Sequence, residues 1–368
     1  LYYGYQGKTF LFGSELKALK QHPAFSSTID RNALSSFFHY GYIPNPQSIY
    51  KGIKKLAPGS IAEIYLDGNQ KINIYEYFNY FNTLNIGQQS LFMGKDSDAI
   101  NSLDKILMNA VESQKISDVP LGAFLSGGID SSLIVAMMQK KTKNPISTFT
   151  IGYDESNFNE ASYAKNIASY LGTNHREKIV SPQEAIEVID HLSFIYDEPF
   201  ADSSQIPTYL VSKLAREHVT VSLSGDGADE IFGGYNRYLW TDSIASMPKS
   251  LRKPISSILT MLTPSQWDLL FKYLCRLLPK KLQLKMPGDR AHKLAFIIQY
   301  SNTKDIYFSL TSIWGKKDKI MLNDENPYHY DQIWDHISNI SSDKFKMMIV
   351  DSLTYLTDDI LCKVDRAA

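Results

Sequence analysis

Apolar and polar residues follow two different rhythms along this chain, and the change falls near residue 98. Before it the apolar runs are short. "LYYGYQ" and "TFLFGSE" are aromatic-rich runs around a Gly-Lys turn, which predicts a β-hairpin. Asp30 precedes "RNALSSFFHYG", which predicts a capped helix ending at Gly41. "IPNPQSIYKGIKKLAPGS" holds too many prolines and glycines for regular structure and reads as loop. "IAEIYL" and "KINIYEYF" predict a second hairpin around Asp67-Gly68. Residues 1–78 therefore read as β-rich and mostly antiparallel, and residues 79–97, polar with isolated aromatics and no period, read as a linker.

From residue 98 the spacing becomes helical. Ile100, Leu103, Ile106, Leu107, Ala110 and Val111 share one face of a helix over 98–114. Then "VPLGAFLS", "ISTFTIGY", "HREKIV" and "VTVSLS" read as strands, the first and last of them buried. Between them "SSLIVAMMQKK", "NEASYAKNIASYLG" (closed by Gly172), "PQEAIEVIDHLSFI" and "IPTYLVSKLAREH" read as helices. Strands alternating with helices predict an α/β unit, a parallel sheet with helices on both faces. Residues 240–368 are strand-poor with apolar residues at helical intervals and read as a helical subdomain, so that 98–368 forms one α/β-plus-helical domain.

Composition narrows the classes. Of 368 residues 43% are hydrophobic and 21% charged, as in globular proteins. The formal net charge of −1 gives no overall attraction to nucleic acid or an anionic membrane, so an anion needs a local site. No apolar run approaches the roughly 20 residues of a membrane span. The two cysteines, Cys275 and Cys362, and the eight dispersed histidines lack metal-type spacing, which argues against a zinc enzyme and suits a reducing cytoplasm. The opening residues read as a strand already under way, so the chain is expected to begin inside a larger domain.

"LSGGIDSS" (125–132) lies between a strand and a helix, where open α/β sheets bind ligands. Gly127 and Gly128 let an anion approach the backbone, and Ser126, Ser131 and Ser132 add hydroxyls to the helix amides. There is no GxxxxGK[ST] spacing and no lysine, so this is not a Walker A loop. Asp130 would repel phosphate unless a Mg²⁺ sits between them, which points to a magnesium nucleotide. Ordinary helix capping explains the same residues about as well. "VTVSLSGDGADEIFGGY" (219–235) repeats the design: Ser224 and Gly225 end a strand, and Asp226, Asp229 and Glu230 crowd a helix start. Capping explains one of these acids, but not three acids, four glycines and Tyr235 within eleven residues. The polar face of "YDEPFADSSQIPTYL" (196–210), between the two turns, suits a small polar substrate or a plain connection.

Taken together these stretches carry a family resemblance. "LSGGIDSS" resembles the PP-loop of ATP pyrophosphatases, a Rossmann-like fold. "DEPFADSSQIPTYLVSKLAREHVTVSLSGDGADEIFGGYNRY" resembles the synthetase domain of glutamine-dependent asparagine synthetases, and is the more specific match. "LYYGYQGKTFLFGSELKAL" and "GYIPNPQSIYKGIKKLAPG" resemble the tail of that family's amino-terminal-nucleophile glutaminase domain. The resemblance implies that aspartate attacks the α-phosphorus of MgATP, releasing pyrophosphate, and that ammonia, normally from glutamine, converts the β-aspartyl-adenylate to asparagine and AMP. It implies Asp130 and Asp229 as magnesium-side acids and Ser224, Gly225 and Asp226 as the nucleotide- and intermediate-binding turn. Leu125 and Ile151 match positions flanking adenine. Glu230 and Tyr235 belong to the same signature, Asp229 and Tyr235 on the substrate side. "DSLTYLTDDILCKVDRAA" matches a segment with a phosphate-facing basic residue, Arg366 being the better match and Lys363 the alternative. A homodimer is compatible with this reading.

Position 1 is Leu, where the family's glutaminase needs a first-residue cysteine, so these residues are not expected to hydrolyse glutamine. The family continues past "DRAA", so an internal fragment of a longer enzyme is expected. A relative that adenylates another carboxylate, as β-lactam synthetases do, or amidates a sugar acid, and a non-catalytic homologue are the remaining readings.

Overall fold

The aromatic runs at the amino terminus form the expected hairpin. In the computed structural model, β1 (Tyr2–Gln6) pairs antiparallel with β2 (Thr9–Gly13). The structure describes residues 1–65, 70–154, 159–245, 247–274, 287–300, 302–314, 320–322 and 330–368. A short turn α1 (Leu16–Leu19) buries both its leucines. In α2 (Arg31–Tyr40) the Asp30 carboxylate accepts the amides of Asn32 and Ala33, and Gly41 closes the helix in the left-handed conformation. The segment read as loop contains a strand, β3 (Ile53–Lys55), antiparallel to β1. Three residues flanked by glycine and proline carry no period, yet Ile53 belongs to the core of Tyr2, Leu11, Leu16 and Ile43. β4 (Ser60–Ile64) and β5 (Ile72–Glu76) form the second hairpin, whose Asp67-Gly68 turn lies outside the described residues.

Residues 79–97, read as aperiodic, include a helix, α3 (Tyr80–Gln89), capped by the Asn79 side chain. None of its residues is buried, so no apolar stripe betrayed it. α4 (Asp96–Gln114) then leads into the parallel sheet: β6 (Leu121–Phe124), α5 (Ile129–Lys140), β7 (Ser147–Tyr153), α6 (Ala161–Leu171), β8 (Asn174–Val180), α7 (Pro182–Tyr196), α8 (Gln205–Arg216) and β9 (Val221–Leu223). The strand order is β8-β7-β6-β9, parallel throughout. Side-chain alternation splits the core as expected. Ala123 joins Met108, Val135, Met138 and Ala164 from α4, α5 and α6, while Phe149 joins Ala215 and Val219 at the end of α8. β9 is an edge strand with Val221 exposed, where its sequence reads as buried. No helix among the described residues is long and apolar enough to cross a membrane.

The chain divides into two compact units: residues 1–37, 41–228 and 352–368, and residues 38–40 and 229–351. The second is helical, as its apolar spacing predicts: α9 (Ala228–Phe232), α10 (Asn236–Ala245), α11 (Lys249–Thr260), α12 (Pro264–Leu274), α13 (Pro287–Ile297), α14 (Thr303–Thr311), α15 (Asp331–His336) and most of α16 (Asp343–Leu353). Asp351 knots it together. Its fully buried carboxylate accepts Arg237 Nε at 2.9 Å, the Tyr238 hydroxyl at 2.5 Å and the Tyr307 hydroxyl at 2.8 Å. Asp351→Ala removes the shared acceptor of all three donors and is expected to cost about 3–5 kcal/mol, read by chemical denaturation. The last residues, a π-helical turn Leu356–Ile360 and α17 (Leu361–Ala367), return to the first unit, where α17 packs on α7 and α8.

Candidate active site

The strand order creates the site. The chain runs from β6 outward through β7 to β8, then crosses to the far side of β6 for β9. The loops leaving β6 and β9 therefore diverge at a switch point beyond the carboxyl ends of adjacent strands, where open α/β sheets leave a crevice. These loops are the two acidic turns.

In the first, α5 starts at Gly128, which has no side chain to cap the helix, and Asp130 stands in its first turn. The serines brace the loop. Ser131 Oγ accepts the Ser126 amide at 3.2 Å and lies 2.9 Å from Ser126 Oγ, and Ser132 Oγ donates to Gly128 O at 2.6 Å. Gly127 has φ +83° and lies against α6, a Cβ there falling 2.7 Å from the Ala164 amide. Asp130, in the first turn of α5, has no hydrogen bond or ion pair among the described residues.

The second turn lies directly on the first. A Cβ at Gly225 would fall 2.8 Å from Ser131 N and 3.0 Å from Asp130 C, so only glycine admits this contact of backbones. Beside them lies a cavity of about 340 Å³ that gathers Leu125, Ser126, Ile151, Asp226 and Lys363 from the sequence-predicted set. Thr150, Tyr153, Glu160, Ser204 and Thr208 also line it, and the sequence had not singled them out. Only the polar stretch around 196–210 had signalled Ser204 and Thr208. Ser224 ends β9 beside Gly225 and belongs to the turn without lining the cavity.

The structure places the two basic candidates in different surroundings. Lys363 lines the cavity and donates to Asp202 Oδ2 and Ser204 Oγ, both at 2.6 Å. Arg366 lies outside it. Its guanidinium pairs with Glu15 at 3.1 Å, donates to Ser14 O at 2.8 Å and covers the Tyr2 ring. Both residues lie on one short helix, whose rotation the sequence does not fix.

Of the three acids of the signature only Asp226 lines the cavity. Asp226 precedes α9 and is exposed, while Asp229 and Glu230 form its first turn. The Asp229 side chain folds over its own turn, where a Cβ at Gly234 would overlap its carboxylate. Glu230 is buried and accepts the Tyr235 hydroxyl at 2.6 Å, and burial raises its pKa. Asp229, Glu230 and Tyr235 belong to the second unit.

Two further carboxylates shape the cavity wall. Glu198 fixes the loop 197–204 by accepting the Tyr2 hydroxyl at 2.9 Å, Lys55 Nζ at 3.0 Å and the Ile49 amide at 2.7 Å. Asp358 fixes the π turn by accepting the Asn45 amide at 2.9 Å, and burial lifts its pKa to about 6. Burial, and then the negative charge of Asp202, lift its neighbour Asp359 to about 8. A carboxyl raised from an ordinary 3.8 holds its proton in the folded chain and loses it in the unfolded one between those pH values. Stability therefore falls as pH rises from about 4 to about 8. Asp359→Asn does not titrate, so it is expected to gain roughly 2 kcal/mol on the wild type between pH 6 and 8, measured by denaturation at each pH.

A magnesium ion needs hard oxygen donors, which Asp130 and Asp226 supply. Among the described residues no three His, Cys, Asp or Glu side chains cluster to hold an ion unaided, so phosphate oxygens would have to complete its shell.

Residues 102–368 match the family model described as asparagine synthase, and residues 1–78 match that of a glutamine amidotransferase domain. The chain is 39% identical over 257 residues to a Methanocaldococcus jannaschii protein provisionally named glutamine-hydrolyzing asparagine synthetase 2, covering 68% of this chain and 48% of that one. It is 31% identical over 371 residues to Bacillus subtilis glutamine-hydrolyzing asparagine synthetase 1, covering 100% of this chain and 54% of that one. With Bos taurus glutamine-hydrolyzing asparagine synthetase it shares 31% identity over 201 residues, 50% of this chain and 35% of that one. The chain thus spans about half the length of the first two relatives.

Proposed function

The chain belongs to the asparagine synthase family, and from that premise we propose that it serves the ATP-dependent amidation of L-aspartate to L-asparagine, with ammonia drawn from glutamine. One observation carries the reading: the close contact of Gly225 with the Asp130–Ser131 backbone joins an open helix N-terminus and an acidic turn in one crevice. A helix N-terminus binds phosphate, and an acid beside it suits a magnesium nucleotide.

The roles follow from position. Leu125 and Ile151 flank the adenine at two strand ends. Ser126, Gly127, Gly128 and Ser131 cradle the pyrophosphate with the first-turn amides of α5. Lys363 faces the phosphates from the opposite wall. A side-chain carboxylate oxygen of aspartate attacks the α-phosphorus, and the bond to the bridging oxygen breaks as pyrophosphate leaves. Ammonia then attacks the acyl carbon of the adenylate, loses a proton and expels AMP. Asp130 and Asp226 would hold a magnesium ion, which would neutralise phosphate charge. Asp226, with Ser224 and Gly225, holds the intermediate. Within the second unit Glu230 holds the Tyr235 hydroxyl.

Pyrophosphate release is the test, with MgATP, ammonia and a panel of carboxylic acids. L-Aspartate is expected to stimulate release, with AMP and asparagine in equal amounts. Stimulation by another acid and none by aspartate would overturn the substrate, and a protein that releases no pyrophosphate with any acid would overturn the enzyme reading.

A further inference from the structure

We propose that Asp202 is the positioning residue of the cavity lysine: its carboxylate, with the Ser204 hydroxyl, holds Lys363 Nζ at the wall where the nucleotide's phosphates bind. This rests on the nucleotide reading of the cavity, which does not itself assign Asp202.

A lysine ammonium is a point charge on a flexible four-carbon stem, and its placement needs partners. Lys363 has two among the described residues, Asp202 Oδ2 and Ser204 Oγ, each at 2.6 Å. These partners are themselves tied. Ser204 Oγ donates to Asp202 Oδ2 at 2.7 Å, and the Ser204 amide donates to Asp202 Oδ1 at 2.8 Å. Both carboxylate oxygens of Asp202 are therefore committed, and the Nζ sits at the apex of a closed triangle. Three donors sit on an ammonium, so one remains for a ligand in the cavity that Lys363 lines with Ser126 and Asp226. The lysine side chain is 7% exposed and that of Asp202 15%, so water screens the pair little.

The backbone at both ends of the triangle is fixed independently. Asp202 lies on the loop anchored at Glu198, and Lys363 follows the π turn anchored at Asp358. The triangle has one neighbour with an unused group: Asp359 Oδ1 is buried without a hydrogen-bond partner among the described residues. Asp359 faces Asp202, Lys363, Asp358 and Tyr196, and its carboxyl lies within hydrogen-bonding reach of the Asp202 carboxylate.

A double-mutant cycle on the full-length protein separates positioning from structure. Asp202→Asn keeps the shape and removes the charge, and Asp202→Glu tests rescue by the conservative variant. Two quantities are read: magnesium pyrophosphate affinity by titration calorimetry, and kcat against KM for MgATP in pyrophosphate release. Asp202→Asn is expected to weaken pyrophosphate about 10-fold and lower kcat about 100-fold, with KM changed less than about 3-fold. Asp202→Glu should recover at least part of kcat. In a Lys363→Met background the Asp202 substitution should cost nothing further. Wild-type pyrophosphate affinity in Asp202→Asn, or a loss undiminished in the Lys363→Met background, overturns the proposal. Wild-type protein that binds magnesium pyrophosphate but gives no aspartate-stimulated release overturns the asparagine reading alone. Wild-type protein that binds no pyrophosphate overturns both.

Discussion

Lys363→Met is expected to slow pyrophosphate release about 10³-fold, whereas Arg366→Met should leave kcat within about 3-fold of wild type. The two residues lie three positions apart on one short helix, and their surroundings decide between them. Lys363 reaches the cavity that Ser126 and Asp226 also line. Its charge is where negative charge would shift on the phosphates as pyrophosphate departs. A donor fixed beforehand at that place stabilises the transition state more than the ground state. Arg366 is occupied on the far side of the helix by Glu15, Ser14 and the Tyr2 ring, so its loss should act on stability. Steady-state assays of both variants, with melting curves to correct for unfolded protein, give the comparison. A larger kcat loss in Arg366→Met than in Lys363→Met would reverse the assignment.

The fold was legible where burial imposes a period. α2, α5, α6, α7 and α8 each bury one face, and three of their ends (Asp30, Gly41, Gly172) stand in the sequence. α3 was illegible because none of its residues is fully buried, so its apolar positions mark no continuous stripe. β3 was illegible because three residues cannot display alternation, and only its pairing with β1 makes it a strand. The edge position of β9 was illegible for another reason. Val-Thr-Val-Ser-Leu suits a central strand equally well, and only the crossover places it at the margin.

The first turn was legible because its pattern is local. Two glycines and three serines at a strand-to-helix junction stand together in the sequence, whatever surrounds them. The wall opposite depends on tertiary contacts. Lys363 and Asp202 are 161 residues apart, and nothing local to either predicts their meeting. Asp359 shows the same limit from the energetic side. An aspartate in a helix ordinarily ionises well below neutrality, and only burial beside Asp202 holds this one protonated.

Asp130→Ala is expected to lower pyrophosphate release about 10³- to 10⁴-fold with little change in melting temperature. The structural half follows from what Asp130 touches. It makes no hydrogen bond or ion pair among the described residues, so alanine removes only an acid favoured at a helix N-terminus, about 0.3–1 kcal/mol. The functional half turns on a sign. If the carboxylate met phosphate directly, its removal would relieve repulsion, and the variant would bind ATP more tightly with or without magnesium. If a magnesium ion stands between them, removal should weaken MgATP while leaving metal-free ATP bound as tightly as before or more so. Calorimetric titrations of ATP with magnesium and with a chelator separate these cases. The expected signature is loss of the magnesium dependence of affinity in the variant. A variant that keeps the wild-type dependence would show that Asp130 does not hold the ion. The acid would then be a helix-terminal charge beside the turn, and Asp226, which lines the cavity with Lys363, would be the acid to test next.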